Sequence, residues 1–556
     1  MQPLADLKVI RFNNLRLQCK NPGTVLIVRA IGQPSRPEPL LPILNVIEDD
    51  TGEAIHIEVY FPITSPPTDI LSSGNILAIK TPQFEMGSYG PVIKVVHPSD
   101  ILALESSHEL VHETFVDLSG LSVKSVWDWK DEAEAALEKR DYKKTINSCS
   151  NTLGQSSDPE DAVDLLEICN ETRRWLREER DGVYDFAAMA KEQIPINHAS
   201  FTNLTEIRTS SGRGRGLFAK VDIPRGGLVL CEKAFGSAEV AKTVETTRNN
   251  AYAGDDRGAQ LWLDLVQKAC TNSCHARRLL GLYAGPTYST QTNVPFVDGR
   301  LVINVYQIKA IMSCNTFAYQ TLEGSGNSLF IQASHANHSC IDNTYRSFTG
   351  DMVVLRAVNE IAAGTELTTS YWPAGLEEPN RHEALFQNWN FVCECKICES
   401  ELQCGEDWEE IFKRVRKLLK KNYSNKKEYI TKIEELVKRS ESVYPCHLFK
   451  DLPRIAMQDL QSKLLELWVD LNDGEKIREH ATALLREYGF RIEIADNNPR
   501  VQLKGPNGLL HAPVVKALYQ PGRVSTDEDR KEYFALSKNM WLTMNGTSEG
   551  WKALVA

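Results

Sequence analysis

The sequence predicts an α+β protein of several domains, and three observations support this class. Short runs of aliphatic and β-branched residues, separated by Gly and Pro, fill residues 1–105 and recur over 201–375, which is typical of strands. Apolar residues at three- and four-residue spacing mark 106–200 and 405–556, which is typical of amphipathic helices. The chain has 556 residues, 42% of them hydrophobic. At about 100–200 residues per domain, that length predicts roughly three to four domains.

The β-rich residues 1–105 contain the strings TVLIVRAI and ILAIK, with Gly- and Pro-rich segments between them. This pattern predicts a small barrel-like domain, and an OB-like barrel is the first interpretation. Such barrels often bind nucleic acid, but this segment is not basic and shows no row of exposed aromatic residues. A packing or protein-binding module is therefore favoured.

The helical stretches resemble tetratricopeptide helix pairs. The arrangement around Ala136, Leu137, Tyr142 and Ile146 predicts such a pair within 106–200, although antiparallel helices packed on a neighbouring domain would give the same pattern. Residues 405–556 predict a stack of helical hairpins of the same type. These helices offer a surface for a protein partner.

Charge and cysteine content limit the classes of function. The formal net charge of -11 excludes a grip on nucleic acid or anionic lipid by the whole protein. We see neither an apolar run long enough to span a membrane nor a secretory signal, so no membrane partner is expected. The 13 cysteines are an odd number in a large chain, which favours reduced thiols and a location in the cytoplasm, the nucleus or both.

A cysteine cluster is the strongest local signal. Cys393, Cys395 and Cys398 stand in the string NFVCECKICES. Three thiolates at this spacing wrap one tetrahedral ion, and zinc is the usual occupant. A closed site needs a fourth ligand from elsewhere in the chain.

Alternating glycines in SSGRGRGLFAK form a second signal. Gly212, Gly214 and Gly216 let a backbone approach a ligand closely. The string is neither a P-loop nor a dinucleotide fingerprint, and by itself it fits a hairpin turn equally well.

Read together with NHSCIDN and GTELTTSYW, these strings resemble a SET domain in order over about residues 205–400. The SET domain is the fold of protein-lysine methyltransferases that use S-adenosylmethionine. The resemblance is greatest to the SMYD branch and to fungal proteins that join a SET domain to tetratricopeptide-like helices. SMYD proteins carry a MYND zinc finger inside this domain, whereas this chain has a helical-looking insert at about 236–300.

The resemblance implies a role for individual residues. It makes Cys340 of NHSC the fourth zinc ligand, beside Cys393, Cys395 and Cys398, in a zinc segment that follows the SET domain. It makes Tyr371 the catalytic tyrosine, whose hydroxyl lies beside the transferring methyl group. The implied cofactor-binding residues are Arg213, Gly214, Arg215, Gly216, Asn315, Ser334, Asn337, His338 and Phe391. Of these, Asn337 and His338 are implied to bond the cofactor by main chain and side chain.

One residue departs from the family pattern at the substrate channel. SMYD proteins have a tyrosine two residues before the phenylalanine that matches Phe391, and this chain has Trp389 there. An indole could form an aromatic wall for a cationic amine, narrow the channel or block it.

The predicted function is an S-adenosylmethionine-dependent protein-lysine N-methyltransferase acting on histone or non-histone lysines. Two alternatives stay open, namely an inactive SET fold used for interaction and a SET pocket acting on a small molecule. The predicted domains are 1–105 (β-rich, OB-like), 106–200 (helical), 201–375 (SET, with the insert), 376–404 (zinc segment) and 405–556 (helical).

Overall fold

A computed structural model places most of the chain. It describes residues 3–31, 42–60, 68–112, 159–239, 256–290, 296–372, 381–494 and 501–555, less a few short gaps inside these ranges. Most of the helices expected between 118 and 158 lie outside the described residues. The chain divides into two compact units, Met1–Lys124 with Tyr252–Met312 and Ser125–Ala251 with Ser313–Ala556.

The N-terminal residues form one sheet of nine strands. Aliphatic side chains such as Leu26, Ile57 and Ile79 fill its core, because alternate residues of each strand point to the same face. The strands pair in the order β2-β7-β8-β5-β4-β3-β6-β9, with β1 parallel to β3. The elements are β1 (Lys8–Ile10), β2 (Cys19–Lys20), β3 (Thr24–Ala30), β4 (Ile43–Glu48), β5 (Ala54–Val59), α1 (Thr68–Leu71), β6 (Ile76–Lys80), β7 (Gln83–Gly87), β8 (Gly90–Val95) and β9 (Ile101–Leu104). We call this the N-terminal sheet; its closure into an OB-like barrel stays a prediction.

A long helix precedes the first strands of the second unit. Its residue Trp175 donates its indole N–H to the Asn197 carbonyl at 3.0 Å, which ties the helix to the segment entering those strands. The elements are α2 (Pro159–Asp181), α3 (Phe186–Met189), β10 (Thr205–Ser210), β11 (Gly214–Ala219), β12 (Leu228–Lys233) and β13 (Gly236–Glu239).

The insert expected at about 236–300 contains helices in its described part. Asn272 caps the second of them, since its side chain accepts from the N–H groups of Cys274 and His275. The elements are α4 (Asp256–Thr271), α5 (Ser273–Leu280), β14 (Phe296–Val297), β15 (Arg300–Leu301) and α6 (Val305–Asn315).

Small sheets dominate the centre of the second unit. Their orders are β10-β11-β21-β18, β12-β20-β19 and β13-β17-β16. Leu217, Leu355 and Leu367 are fully buried where the first two sheets pack on one core. The elements are β16 (Thr316–Thr321), β17 (Gly324–Leu329), β18 (Asn337–His338), β19 (Thr344–Thr349), β20 (Met352–Ala357) and β21 (Glu366–Thr369).

Helices make up most of the described C-terminal part. Their apolar faces join one large core that also receives the cysteine cluster and Tyr371. The elements are α7 (Arg381–Trp389), α8 (Lys396–Gln403), α9 (Asp407–Leu419), α10 (Lys426–Glu441), α11 (Cys446–Phe449), α12 (Ile455–Leu471), α13 (Gly474–Glu487), β22 (Arg491–Ile494), β23 (Val501–Lys504), α14 (Ala512–Arg523), α15 (Asp527–Asn545) and α16 (Trp551–Val555).

The mixed α+β class predicted from the sequence is confirmed. The domain limits stay a prediction, because strands and helices alone do not define independent domains. Among the described helices, none is both long enough and apolar enough to cross a membrane.

Candidate functional site and metal centre

The glycine-rich string forms the turn between β10 and β11. Ser210 pairs with Gly214 at the end of the ladder, and Gly212 and Gly214 have φ of 72° and 74°. Gly216 is needed for a different reason, since a Cβ there would lie 3.1 Å from Asn337 Nδ2 and would collide with the Glu366 carboxylate. The absence of side chains thus lets β11 approach the segment that contains Asn337.

Two asparagines join this segment to β21. Asn337 Nδ2 donates to Glu366 Oε1 at 2.7 Å and to the Arg215 carbonyl at 3.2 Å. Asn343 donates to the Glu366 carbonyl at 2.8 Å and accepts from the Thr368 N–H at 2.8 Å. These bonds replace a regular ladder, because β18 and β21 pair through only two residues each.

A buried carboxylate holds the turn before Asn337. The Glu232 carboxylate accepts the N–H groups of Gln332 and Ala333, both at 2.8 Å. The turn Ala333–His335 follows as one 3-10 helix, and the Ser334 hydroxyl donates to the Phe330 carbonyl at 2.5 Å. The carbonyl of Ala336 at the end of the turn is thereby fixed.

Tyr371 is held at both of its ends. Its hydroxyl donates to the Ala336 carbonyl at 2.9 Å, and its backbone N–H donates to His338 Nδ1 at 3.0 Å. Burial raises the pKa of Tyr371, so the phenol keeps its proton at neutral pH. The hydroxyl oxygen retains lone pairs that can face a positive group.

Three more rings surround Tyr371. Its ring centroid lies 5.3 Å from that of Trp389, 5.4 Å from His338 and 6.3 Å from Phe391. Trp389 donates its indole N–H to the Cys314 carbonyl at 2.9 Å, next to Asn315 at the end of α6. Asn390, in the left-handed region at φ 58°, ends α7 between Trp389 and Phe391. The result is a half-buried aromatic wall.

The four predicted metal ligands come together. The Sγ atoms of Cys340, Cys393, Cys395 and Cys398 all lie within 4.8 Å of one another, and all four residues are buried. Cys340 Sγ is 3.6 Å from Cys398 Sγ and 4.0 Å from Cys393 Sγ. Zn–S bonds of ~2.3 Å place the sulfurs of a tetrahedral site about 3.8 Å apart, so the cluster fits zinc.

The thiols share their protons unevenly. Hydrogen bonds from Cys340 lower the pKa of Cys393 and lower that of Cys395 to about 7, whereas hydrogen bonds within the cluster raise the pKa of Cys340. A divalent ion removes this competition, because it takes all four sulfurs as thiolates.

A buried ion pair lies against the cluster. The Arg381 guanidinium contacts the Glu401 carboxylate and also donates to Cys398 Sγ at 3.7 Å. Since Arg381 begins α7 and Glu401 lies on α8, the pair connects the metal segment to the helix that carries Trp389.

Another carboxylate lies behind Tyr371. Asp342 Oδ2 accepts the Ser370 N–H at 3.2 Å, and burial raises the pKa of Asp342 to about 7. The positive charge of Arg346, which is half-buried, acts against this rise in the pKa of Asp342.

The structure brings together most of the predicted site residues. Arg213 donates to the His338 carbonyl at 3.3 Å, and Arg215, Asn337, Phe391 and Tyr371 join the same neighbourhood through the contacts above. Ser334 points its hydroxyl at Phe330, and Asn315 lies beside the anchor of Trp389. Sequence reasoning did not select Glu232, Asn343, Glu366 or Arg381. Asn343 and Glu366 lie inside the quoted strings NHSCIDN and GTELTTSYW, and this was the signal that could have found them.

Comparison with known proteins gives the family of this region. Residues 214–372 match the model of the SET domain. A protein from Gibberella zeae named methyltransferase is 23% identical over 71% of this chain and 68% of its own length. The histone-lysine N-methyltransferase SET5 of Meyerozyma guilliermondii is 30% identical over 30% of this chain and 32% of its own length. Human N-lysine methyltransferase SMYD2 is 31% identical over 20% of this chain and 26% of its own length.

The chain therefore spans about two thirds of the first relative but only about a quarter to a third of the two lysine methyltransferases. The predicted resemblance is confirmed for residues 214–372, which contain Gly214 and Gly216, the NHSC segment and Tyr371. From this match and from the geometry of the site, we conclude that the chain contains a SET domain at residues 214–372.

Proposed function

We propose that this protein is an S-adenosylmethionine-dependent protein-lysine N-methyltransferase. The observation that carries the proposal is the placement of Tyr371, whose hydroxyl is fixed against the Ala336 carbonyl inside an aromatic wall and beside the glycine turn. The names of the relatives, which are lysine methyltransferases, support the same reaction.

The residues present fit the cofactor. Gly212 and Gly214 have positive φ and nothing within 4 Å of the position that a Cβ would take, so the turn leaves open space beside its backbone. We assign the methionine end to Arg213–Gly216 and to Asn337, with Asn315, Ser334 and the main chain of His338 completing the contacts. Phe391, which is half-buried, offers a ring face to the adenine.

The bound cofactor supplies an electrophilic methyl group on a sulfonium sulfur. The Tyr371 hydroxyl and the Ala336 carbonyl present oxygen atoms at fixed positions, which stabilise positive charge near the methyl group without reorganising. Because its pKa is raised, Tyr371 acts as a fixed dipole and not as a base.

The aromatic wall affects both the protonation and the orientation of the lysine amine that accepts the methyl group. A lysine amine entering beside Tyr371 and Trp389 leaves water, which lowers its pKa and favours the neutral form that attacks. The rings also restrict the amine to one direction of approach. The entropy of orienting the amine is therefore lost on binding and does not add to the barrier of methyl transfer. In this proposal Trp389 forms the channel wall, and its bond to Cys314 keeps it there.

Zinc has a structural role in the proposal. Cys340 belongs to the NHSC segment, while Cys393, Cys395 and Cys398 follow Phe391, so one ion connects the cofactor segment with the segment that closes the channel. Free thiols in such a centre need a reducing compartment, which supports a location in the cytoplasm or nucleus. The C-terminal helices are the proposed surface for a protein partner.

The test is transfer of a labelled methyl group to histones and to a demethylated cell extract. Tyr371→Phe should bind cofactor with unchanged Kd but transfer about 100-fold more slowly, since it removes only the hydroxyl. Tyr444→Phe is the matched control, because it removes a buried hydroxyl that accepts the Ala456 N–H away from the site.

Equal transfer by the wild type and Tyr371→Phe would remove Tyr371 from this role. Cofactor binding without transfer to any protein would favour one of the two alternatives, an inactive SET fold or a small-molecule acceptor, and would make Trp389 the next residue to change.

A further inference from the structure

We propose that His338 is a positioning residue that couples the metal centre to the backbone of Tyr371. The expected effect on methyl transfer rests on the function proposed above. The other consequences of the coupling, on metal retention and on backbone protection, hold whatever the chain methylates.

Both ring nitrogens of His338 have partners inside the protein. Nδ1 lies 3.0 Å from the backbone nitrogen of Tyr371, and Nε2 lies 3.4 Å from Cys340 Sγ. The ring itself is buried, with 4% of the residue exposed. The two contacts are therefore shielded from water, which makes each of them costly to lose.

The backbone N–H of Tyr371 determines the direction of both hydrogen bonds of the His338 ring. A backbone N–H can only donate, so Nδ1 must accept from Tyr371, and the ring hydrogen must be on Nε2. Nε2 can then donate to the thiol cluster, where Cys340 Sγ lies 3.4 Å away and Cys393 is also in hydrogen-bond contact with His338. A metal-bound thiolate accepts such a bond strongly, so an occupied centre stabilises the one tautomer that can hold Tyr371.

A few hydrogen bonds connect the metal ligand Cys340 with the Tyr371 side chain. Tyr371 is fixed by His338 at its backbone and by the Ala336 carbonyl at its hydroxyl, and both partners lie within three residues of one another. Ser370 before it donates to Asp342, two residues beyond Cys340. The segment 336–342 therefore clamps residues 370–371 at three points, and the metal ligand Cys340 lies between two of them.

Two substitutions separate the two bonds. The amide of His338→Asn reaches about as far as Nδ1, so it can accept from Tyr371 but cannot reach Cys340. The longer amide of His338→Gln reaches about as far as Nε2, so it can donate to Cys340 but has no acceptor at the position of Nδ1. His480→Gln is the control, since His480 is a buried histidine in α13 bonded to Gln461.

We expect a crossed result. His338→Asn should release zinc to a colorimetric chelator about 10- to 100-fold faster than wild type, the range usual for loss of a partner behind a metal ligand. His338→Gln should release zinc at nearly the wild-type rate, and its kcat should fall about tenfold or more with the KM for cofactor little changed. His480→Gln should match the wild type in both measurements.

Equal losses of zinc and of kcat in the two His338 variants, or no loss in either, would overturn the coupling. A wild type that transfers no methyl group would refute the proposed function, while zinc release still tests the coupling. If neither variant folds, the wild type is stripped of zinc, and amide exchange is measured over residues 366–372. Faster exchange there supports the proposal, and unchanged exchange overturns it.

Discussion

The N-terminal sheet and the SET region hold their strands together in different ways. The N-terminal sheet joins nine strands into one sheet, through ladders of two to six residue pairs, over a core of aliphatic side chains. The SET region divides its strands among sheets of three or four, and side chains such as Glu232, Asn337 and Asn343 bond to backbone groups where ladders are short.

The difference shows which kind of region can carry a reaction. Apolar packing tolerates exchange of one side chain for another of similar volume, because it is not directional. A buried hydrogen bond specifies a direction and a distance, and its loss leaves an unsatisfied group. Reacting atoms need fixed directions, so the candidate site lies where side chains bond to the backbone.

The largest expected effect is loss of the metal centre in Cys398→Ser. Removing one of four thiolates should lower zinc from about one ion per chain to almost none, and amide exchange should accelerate over residues 390–404. Protection of the N-terminal sheet should not change. Metal analysis and hydrogen exchange measure both effects.

Cys404→Ser is the matched control, because Cys404 lies in the same segment but donates to the Ser400 carbonyl at 3.2 Å instead of joining the cluster. Equal zinc loss in this control, or a wild type that is fully stable without metal, would refute the assignment.

A graded response is expected in the N-terminal sheet. Ile57 is fully buried in β5. Ile57→Ala should lower local stability by about 2–5 kcal/mol and Ile57→Val by about 0.5–1.5 kcal/mol, in proportion to the methyl groups removed. Hydrogen exchange of β4, β5 and β8 measures the change. Similar losses for the two substitutions would contradict a core governed by apolar volume.

A smaller effect than that of Ile57→Ala is expected from the loss of one polar bond in the SET region. Glu232→Gln keeps the volume but presents an amide nitrogen to one of two backbone donors, so it should lower stability by about 1.5–3 kcal/mol. The loss should concentrate in residues 332–336 in hydrogen exchange. Glu206→Gln, an exposed change on β10, should stay within about 0.5 kcal/mol. A loss spread evenly over the second unit would argue against a local role.

Local pattern was sufficient for strands β3 and β6 of the N-terminal sheet, for the helical C-terminal part and for three of the metal ligands. Strand runs such as TVLIVRA show their β-branched and aliphatic composition directly. The order of pairing did not follow, because the parallel contact of β5 with β8 leaves no trace in either string.

Cys340 and Tyr371 followed only from resemblance to a family. Nothing in the spacing of Cys340 and Cys393 indicates that the two sulfurs meet. Glu232 and Arg381 could not be selected at all, since each is one charged residue in an otherwise ordinary string. Their roles arise where distant segments approach and buried backbone or sulfur atoms need a partner.

The metal ligands come from two places in the chain, and this has a consequence for biosynthesis. Cys393 leaves the ribosome about 290 residues after β9 ends the N-terminal sheet, which at ~5–20 residues per second is roughly 15–60 s later. A nascent chain can therefore complete its first sheet while Cys340 still waits for the other three ligands. All four ligands are present only once Cys398 has been synthesised, so the metal centre closes after the first sheet can already have formed.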